Sequence, residues 1–137
     1  MRGEVRHYVF SEVMSWVALD RGIRMADELE LDGDTAAWRS SRDALHAEIL
    51  ERGWSDARQS FLQAYGDDAL DAAALAIPMV RFLPWSDPRV VATVRTIARE
   101  FTGADGELVY RYRNADGLEG EEGASPSAPS GWPRRWR

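Results

Sequence analysis

Asp87-Pro88-Arg89-Val90-Val91-Ala92-Thr93-Val94-Arg95-Thr96-Ile97-Ala98-Arg99-Glu100-Phe101-Thr102-Gly103 carries its own start and stop signals. Asp87 is a good N-cap, because its carboxylate accepts a bond from an otherwise unpaired N–H of the first turn. Pro88 suits the first helical position, where no backbone donor is needed. Gly103 suits the end. Between them Val90, Val91, Val94, Ile97, Ala98 and Phe101 recur at helical spacing and form one apolar stripe. This stretch therefore reads as a helix.

Three further helices precede it. The alanine-rich run Ala69 to Ala76 predicts a helix starting at Asp67 or Asp68 and bent or ended by Pro78. Thr35 to Arg52 is bounded by Asp34 as cap and Gly53 as stop, with Trp38, Leu45 and Ile49 on one face. The first helix runs from about Phe10 to Leu31, with Ser11 as a cap and Asp32-Gly33 as its end. Phe10, Met14, Val17, Ala18 and Met25 mark its apolar stripe, with Val13 and Leu29 beside it, and Gly22 lies inside. Gly53 to Gly66 is a break with a short extended piece at Ser60 to Ala64. Leu108 to Tyr112 alternates like a short strand, and Asn114 to Gly123 is glycine-rich and acidic. The reading is all-α, about two helical hairpins with short extended loop segments. Several helices have two partly apolar faces and want neighbours on both sides, as in a repeated helical array. Four helices leave apolar surface open, which predicts poor solubility.

The 137 residues suit one domain. All 17 basic residues are arginine, and cysteine is absent, which excludes a disulfide framework, a thiolate metal site and a cysteine nucleophile. No apolar run reaches the ~18 residues of a membrane span, and no apolar core follows the first residues, so a cytoplasmic location is expected. Residues 1–124 hold 14 arginines against all 23 acids, a net charge of −9. An acidic body repels phosphate and does not favour nucleic acid. Residues 125–137 carry three arginines, no acid and three of the six prolines, and read as disordered by composition.

Chemistry concentrates in the loops. Trp54, Tyr65, Asp67, Asp68 and Asp71 form one cluster; Tyr110, Arg111, Tyr112, Arg113, Asp116, Glu119, Glu121 and Glu122 form another. Aromatic faces stack on the C–H faces of sugars, and carboxylates and arginines bind the hydroxyls. A structural reading stands beside this: Trp54 and Tyr65 as core, Asp67 or Asp68 as a cap, and Glu119 to Glu122 as a solvated loop. His7 and His46 have no ligand spacing, so no metal is expected; His7 reads as a hydrogen-bonded loop residue and His46 as a surface or core-edge residue. No phosphate-binding glycine loop or nucleophile elbow occurs, and no cofactor is expected.

Arg6-His7-Tyr8-Val9-Phe10-Ser11-Glu12-Val13-Met14-Ser15-Trp16-Val17-Ala18-Leu19-Asp20-Arg21-Gly22-Ile23-Arg24 resembles a signature stretch of glycoside hydrolase family 15, the glucoamylase-like family that includes bacterial trehalases. Later blocks agree in order: His46 to Trp54, Phe61 to Gly66 with Leu70-Asp71-Ala72, Phe82-Leu83-Pro84 with Asp87-Pro88-Arg89, and Val109 to Tyr112 running to Asp116 through Ala124. The resemblance covers residues 1 to 124. It implies a section of an (α/α)6 toroid of six helical hairpins, and inverting hydrolysis of an α-glucosidic bond without metal. One glutamic acid protonates the leaving oxygen and a second glutamate activates water.

The resemblance places that acid immediately before Met1-Arg2-Gly3 and the base beyond Arg137, so no catalytic residue is assigned within the chain. It makes Arg111 a substrate-hydroxyl ligand and sets Asp116, Glu121 and Glu122 in the loop bordering the cleft. Glu12 replaces a lysine common at its position. The expectation is a fragment inactive alone, whose parent takes an α-glucoside or oligosaccharide and whose partner is the remainder of the domain. A non-catalytic carbohydrate-binding module and an all-α interaction module are the alternatives. After Glu121-Glu122-Gly123-Ala124 the family continues with an apolar helix. Suitable codons for residues 125–137, read one base out of frame, encode such a helix, so the tail is compatible with a frameshift.

Overall fold

The computed structural model describes residues 5–102. Gly103, the strand expected at Leu108 to Tyr112, the acidic loop and the tail at 125–137 lie outside them. The elements are α1 (Val9–Glu28), α2 (Thr35–Arg52), β1 (Trp54–Ser55), β2 (Ser60–Phe61), a 3₁₀ turn (Ala72–Leu75), α3 (Ala76–Met79) and α4 (Pro88–Phe101). Among the described residues no helix is long and apolar enough to cross a membrane.

Helix α1 turns a different stripe inward from the expected one. Val9, Val13, Trp16, Ile23 and Ala26 are buried together with Asp20, at spacings of three and four. Phe10, Met14 and Met25 are 44%, 40% and 58% exposed. Both stripes are apolar, so periodicity alone does not say which one faces the core. Trp16 settles it: its ring meets Phe82 edge to face at 5.1 Å and brings the largest apolar area on the helix. Ser11 is not the cap either, since the helix starts two residues earlier. Tyr8 precedes it without a side-chain bond, and the start is held by the Val9 N–H donating to the Gln63 carbonyl at 2.9 Å. The helix ends at Glu28. Glu30 adopts φ 51° and the Leu31 N–H donates back to the Ala26 carbonyl, a six-to-one closure that halts the helix before Asp32-Gly33.

Helix α2 has the expected bounds. Asp34 accepts from the Ala37 N–H at 3.0 Å, and Gly53 closes on the Ile49 carbonyl. Ile49 and Leu45 face the core, whereas Trp38 lies over Gly33, where a Cβ would stand 2.7 Å from its ring. Asp27 pairs with Arg39 and Asp20 with Arg42, while Val9 abuts Gly53, so α1 and α2 run antiparallel as a helical hairpin.

The break after α2 folds back as an antiparallel pair, Trp54 opposite Phe61 and Ser55 opposite Ser60. Of the extended piece expected at Ser60 to Ala64, Ser60–Phe61 is strand and Ala64 is bridged to Tyr8, with a bend at Gln63 between them. The alanine-rich helix is shorter than expected and begins at Ala72. Asp67 competes with helix formation by accepting the Asp68 and Ala69 N–H groups, and Asp71 is the actual cap, accepting from Ala73. The chain leaves α3 at Val80, just past Pro78, with Arg81 at φ 63°.

Helix α4 begins as its sequence dictates. Asp87 accepts from the Arg89 N–H at 2.9 Å and from its guanidinium, whose bond holds the Asp87 carboxyl below its usual range. Its inward face is Val90, Thr93, Thr96, Ile97 and Phe101. Val94 and Ala98, part of the expected stripe, are exposed. Two threonines are buried instead because each meets a backbone group of the β-hairpin. The Phe61 N–H donates to Thr93 Oγ1 at 3.1 Å, and Thr96 Oγ1 donates to the Gln59 carbonyl at 3.1 Å. The core joins Val9, Val13 and Trp16 of α1 to Phe61, Phe82 and Ile97.

Candidate functional site

The substrate-binding candidates Arg111, Asp116, Glu121 and Glu122 lie outside the described residues, as does the loop cluster around them. Of the other cluster, Tyr65 and Asp67 come together at an open depression of about 310 Å³ near the start of α1, which Arg6, His7, Arg52 and Gly66 complete. Trp54 is not part of it. Its ring meets Phe61 edge to face at 5.3 Å and its Nε1 donates to Asp56 Oδ1, as the structural reading has it. Asp68 borders a second depression of about 450 Å³ with Arg58 and Glu100, and Asp71 is spent on capping.

The local fold explains how residues distant in sequence meet. His7 and Tyr65 lie on paired extended segments, the Tyr65 N–H donating to the His7 carbonyl at 3.0 Å. Their rings stack 18° from parallel with centroids 5.8 Å apart. Arg52, in the last turn of α2, lays its guanidinium over the Tyr65 ring at 4.5 Å. The Tyr65 hydroxyl donates to Glu48 Oε2 at 3.3 Å. Burial, and then the negative charges of Glu48 and Glu12, push the ionisation of this phenol upward, so it stays neutral. Gly66 is at φ 72°, the left-handed conformation that lets the chain turn beside the depression.

The carboxylates here already have partners. Asp67 pairs with Arg6 at 3.5 Å and accepts two backbone N–H groups. Glu12 meets His7 Nδ1 at 2.9 Å, and Glu48 pairs with Arg52 at 3.8 Å. The arrangement offers flat rings, two guanidiniums and hydrogen-bonding groups, the means to bind a polyhydroxylated ring. His7 is the hydrogen-bonded residue expected. His46 sits at the core edge, its Nε2 3.2 Å from the Phe82 carbonyl and its ring 4.4 Å from that of Phe82. Among the described residues no three His, Asp or Glu side chains converge to hold a metal ion. The sequence did not single out Arg6, Arg52 or Glu48 for this site; the only signal was the four-residue spacing of Glu48 and Arg52 on one helix.

Comparison with known proteins agrees with this architecture. The family model "Glycosyl hydrolases family 15" matches residues 1–125. A trehalase of Mycobacterium tuberculosis is 50% identical over 126 residues, covering 90% of this chain and 18% of the relative. A trehalase of Thermoplasma volcanium is 42% identical over 123 residues, covering 90% of this chain and 20% of the relative. The chain thus spans about a fifth of the length of these relatives. A solved glycosidase variant in complex with glucose shares the fold with a TM-score of 0.66 at 16% identity, over 81% of this chain and 29% of that one. The helical hairpin and the elements after it are therefore a section of a larger helical toroid. The chain belongs to glycosyl hydrolases family 15.

Proposed function

We propose that this chain supplies part of the sugar-binding cleft of an inverting α-glucoside hydrolase of the trehalase type. The observation that carries the proposal is the depression in which Arg6, His7, Arg52, Tyr65 and Asp67 meet, within residues 1–125 that the family model matches. Its rings and guanidiniums suit a glucosyl unit, and its engaged carboxylates suit binding more than proton transfer. In this reading Arg111 ligates substrate hydroxyls, and Asp116, Glu121 and Glu122 border the same cleft. The general acid and base belong to parts of the domain outside this chain, and the remainder of the domain is its partner. A cytoplasmic location fits the proposal.

Titration of the full chain with trehalose, maltose and isomaltose, followed by amide NMR, tests it. Saturable shifts at Arg6, His7, Tyr65 and Gly66 are expected, with dissociation constants on the order of millimolar. Arg52→Ala and Arg111→Ala should each weaken binding by about tenfold, a loss of ~1.4 kcal/mol. Absence of any saturable shift overturns the proposal. A second reading, a sugar-binding module without catalysis of its own, is favoured by the engagement of Asp67, Glu12 and Glu48. Glucose release from purified chain recombined with the missing part of the domain separates the two.

A further inference from the structure

We propose that His7 binds a substrate hydroxyl in this depression, and that Glu12 is a positioning residue that fixes the tautomer in which His7 Nε2 is a hydrogen-bond acceptor. The inference rests on the sugar-binding reading above.

The tautomer follows from the partners. His7 Nδ1 lies 2.9 Å from Glu12 Oε1. An ionised carboxylate only accepts, so the proton between them belongs to Nδ1. In the neutral imidazole this leaves Nε2 with a lone pair and no proton. No described residue is hydrogen-bonded to Nε2, and His7 lines the depression. The ring is also held in its plane. It stacks on Tyr65 at 5.8 Å, and its backbone carbonyl accepts the Tyr65 N–H.

The chemistry of the site needs such a group. Arg6 and Arg52, which share the depression, are donors only, so they engage the lone pairs of sugar hydroxyls. Every hydroxyl also carries a proton that needs an acceptor. Asp67 is ion-paired with Arg6 and accepts from two backbone N–H groups, and Glu48 accepts from the Tyr65 hydroxyl and is ion-paired with Arg52. His7 Nε2 is an acceptor beside these donors that has no hydrogen-bond partner among the described residues.

Imidazole ¹⁵N NMR on the full chain at about pH 8, where an ordinary histidine is neutral, reads the tautomer directly. The expected result is a protonated Nδ1 and a bare Nε2, with the Nε2 signal shifting as maltose or trehalose saturates the chain. Glu12→Lys replaces an acceptor with a donor; it should move the proton to Nε2 and weaken sugar binding by about tenfold. His7→Phe keeps a ring on Tyr65 but should lose binding to the same extent. His7 and Glu12 side chains are 52% and 21% exposed, so both variants should keep the fold, which their amide spectra check. A protonated Nε2 in the unaltered chain overturns the inference. So does a His7 ring signal that stays fixed while the Tyr65 and Gly66 amides move, a result that leaves the sugar-binding reading intact. No movement anywhere on adding either sugar overturns both.

Discussion

Asp20→Ala should lower the unfolding free energy by about 2–3 kcal/mol, read as a fall in the urea midpoint with an unchanged slope. Asp20 is 4% exposed and sits in the buried stripe of α1. Its carboxylate meets Arg21 at 2.6 Å, Arg24 at 3.2 Å and Arg42 of α2 at 3.4 Å. Arg21 also donates to the Val80 carbonyl, so one buried charge ties α1 to α2 and to the end of α3. Breaking a buried pair commonly costs about 3–5 kcal/mol, because a stranded charge stays out of water. Here the stranded partners are arginines whose side chains are 37%, 65% and 24% exposed, and they can turn toward solvent. That relief puts the expected loss below the usual range. Asp27→Ala is the control. The Asp27–Arg39 pair is roughly half exposed on both sides, so its loss should stay within about 0.5 kcal/mol. Equal effects for the two variants would show that Asp20 is not the tie between the helices.

Helix α4 and helix α2 were legible in the sequence because their ends are set by local chemistry. Asp87 with Pro88, and Asp34 with Gly53, satisfy or stop backbone groups within a few residues of themselves. Where an end depends on distant partners, local signals misplace it. The start of α1 is fixed by a bond from Val9 to Gln63, more than fifty residues away, which no cap residue announces. Asp67 or Asp68 reads as the cap of the alanine-rich run, and only the backbone turn that Asp67 closes leaves Asp71 as the one used.

The inward stripe of α1 differs from the expected one for a related reason. A helix inside a toroid has neighbours on two sides, so both faces are apolar and neither is marked as the inner one. In this chain Phe10, Met14 and Met25 of α1 and Val94 of α4 are exposed, as surfaces of a section taken from a larger array. The site was half legible for the same kind of reason. Tyr65 and Asp67 stand out by residue type. His7, Glu12, Arg52 and Glu48 join them only because the segment after the β-hairpin pairs with the residues before α1.

A single buried hydroxyl anchors the strand that leads into that pairing, and its loss in Thr93→Val should cost about 1–3 kcal/mol. Thr93 is 2% exposed and Phe61 is fully buried, and among the described residues the acceptor of the Phe61 N–H is Thr93 Oγ1. Valine fills the same volume without an acceptor, which leaves the amide unpaired rather than opening a cavity. Thr96→Val removes a bond of the same length, to the Gln59 carbonyl, yet Gln59 is exposed and water can replace the hydroxyl there. Its cost should be about 0.5–1 kcal/mol. The distinction carries to the site. Phe61 leads directly into Leu62, Gln63, Ala64 and Tyr65, the segment that holds Val9 and faces His7. Thr93→Val should therefore speed amide exchange at Phe61 and Tyr65 together, while Thr96→Val leaves Tyr65 unchanged. Equal protection of Tyr65 in both variants would mean that the bridge between Tyr8 and Ala64 holds the depression together without help from α4.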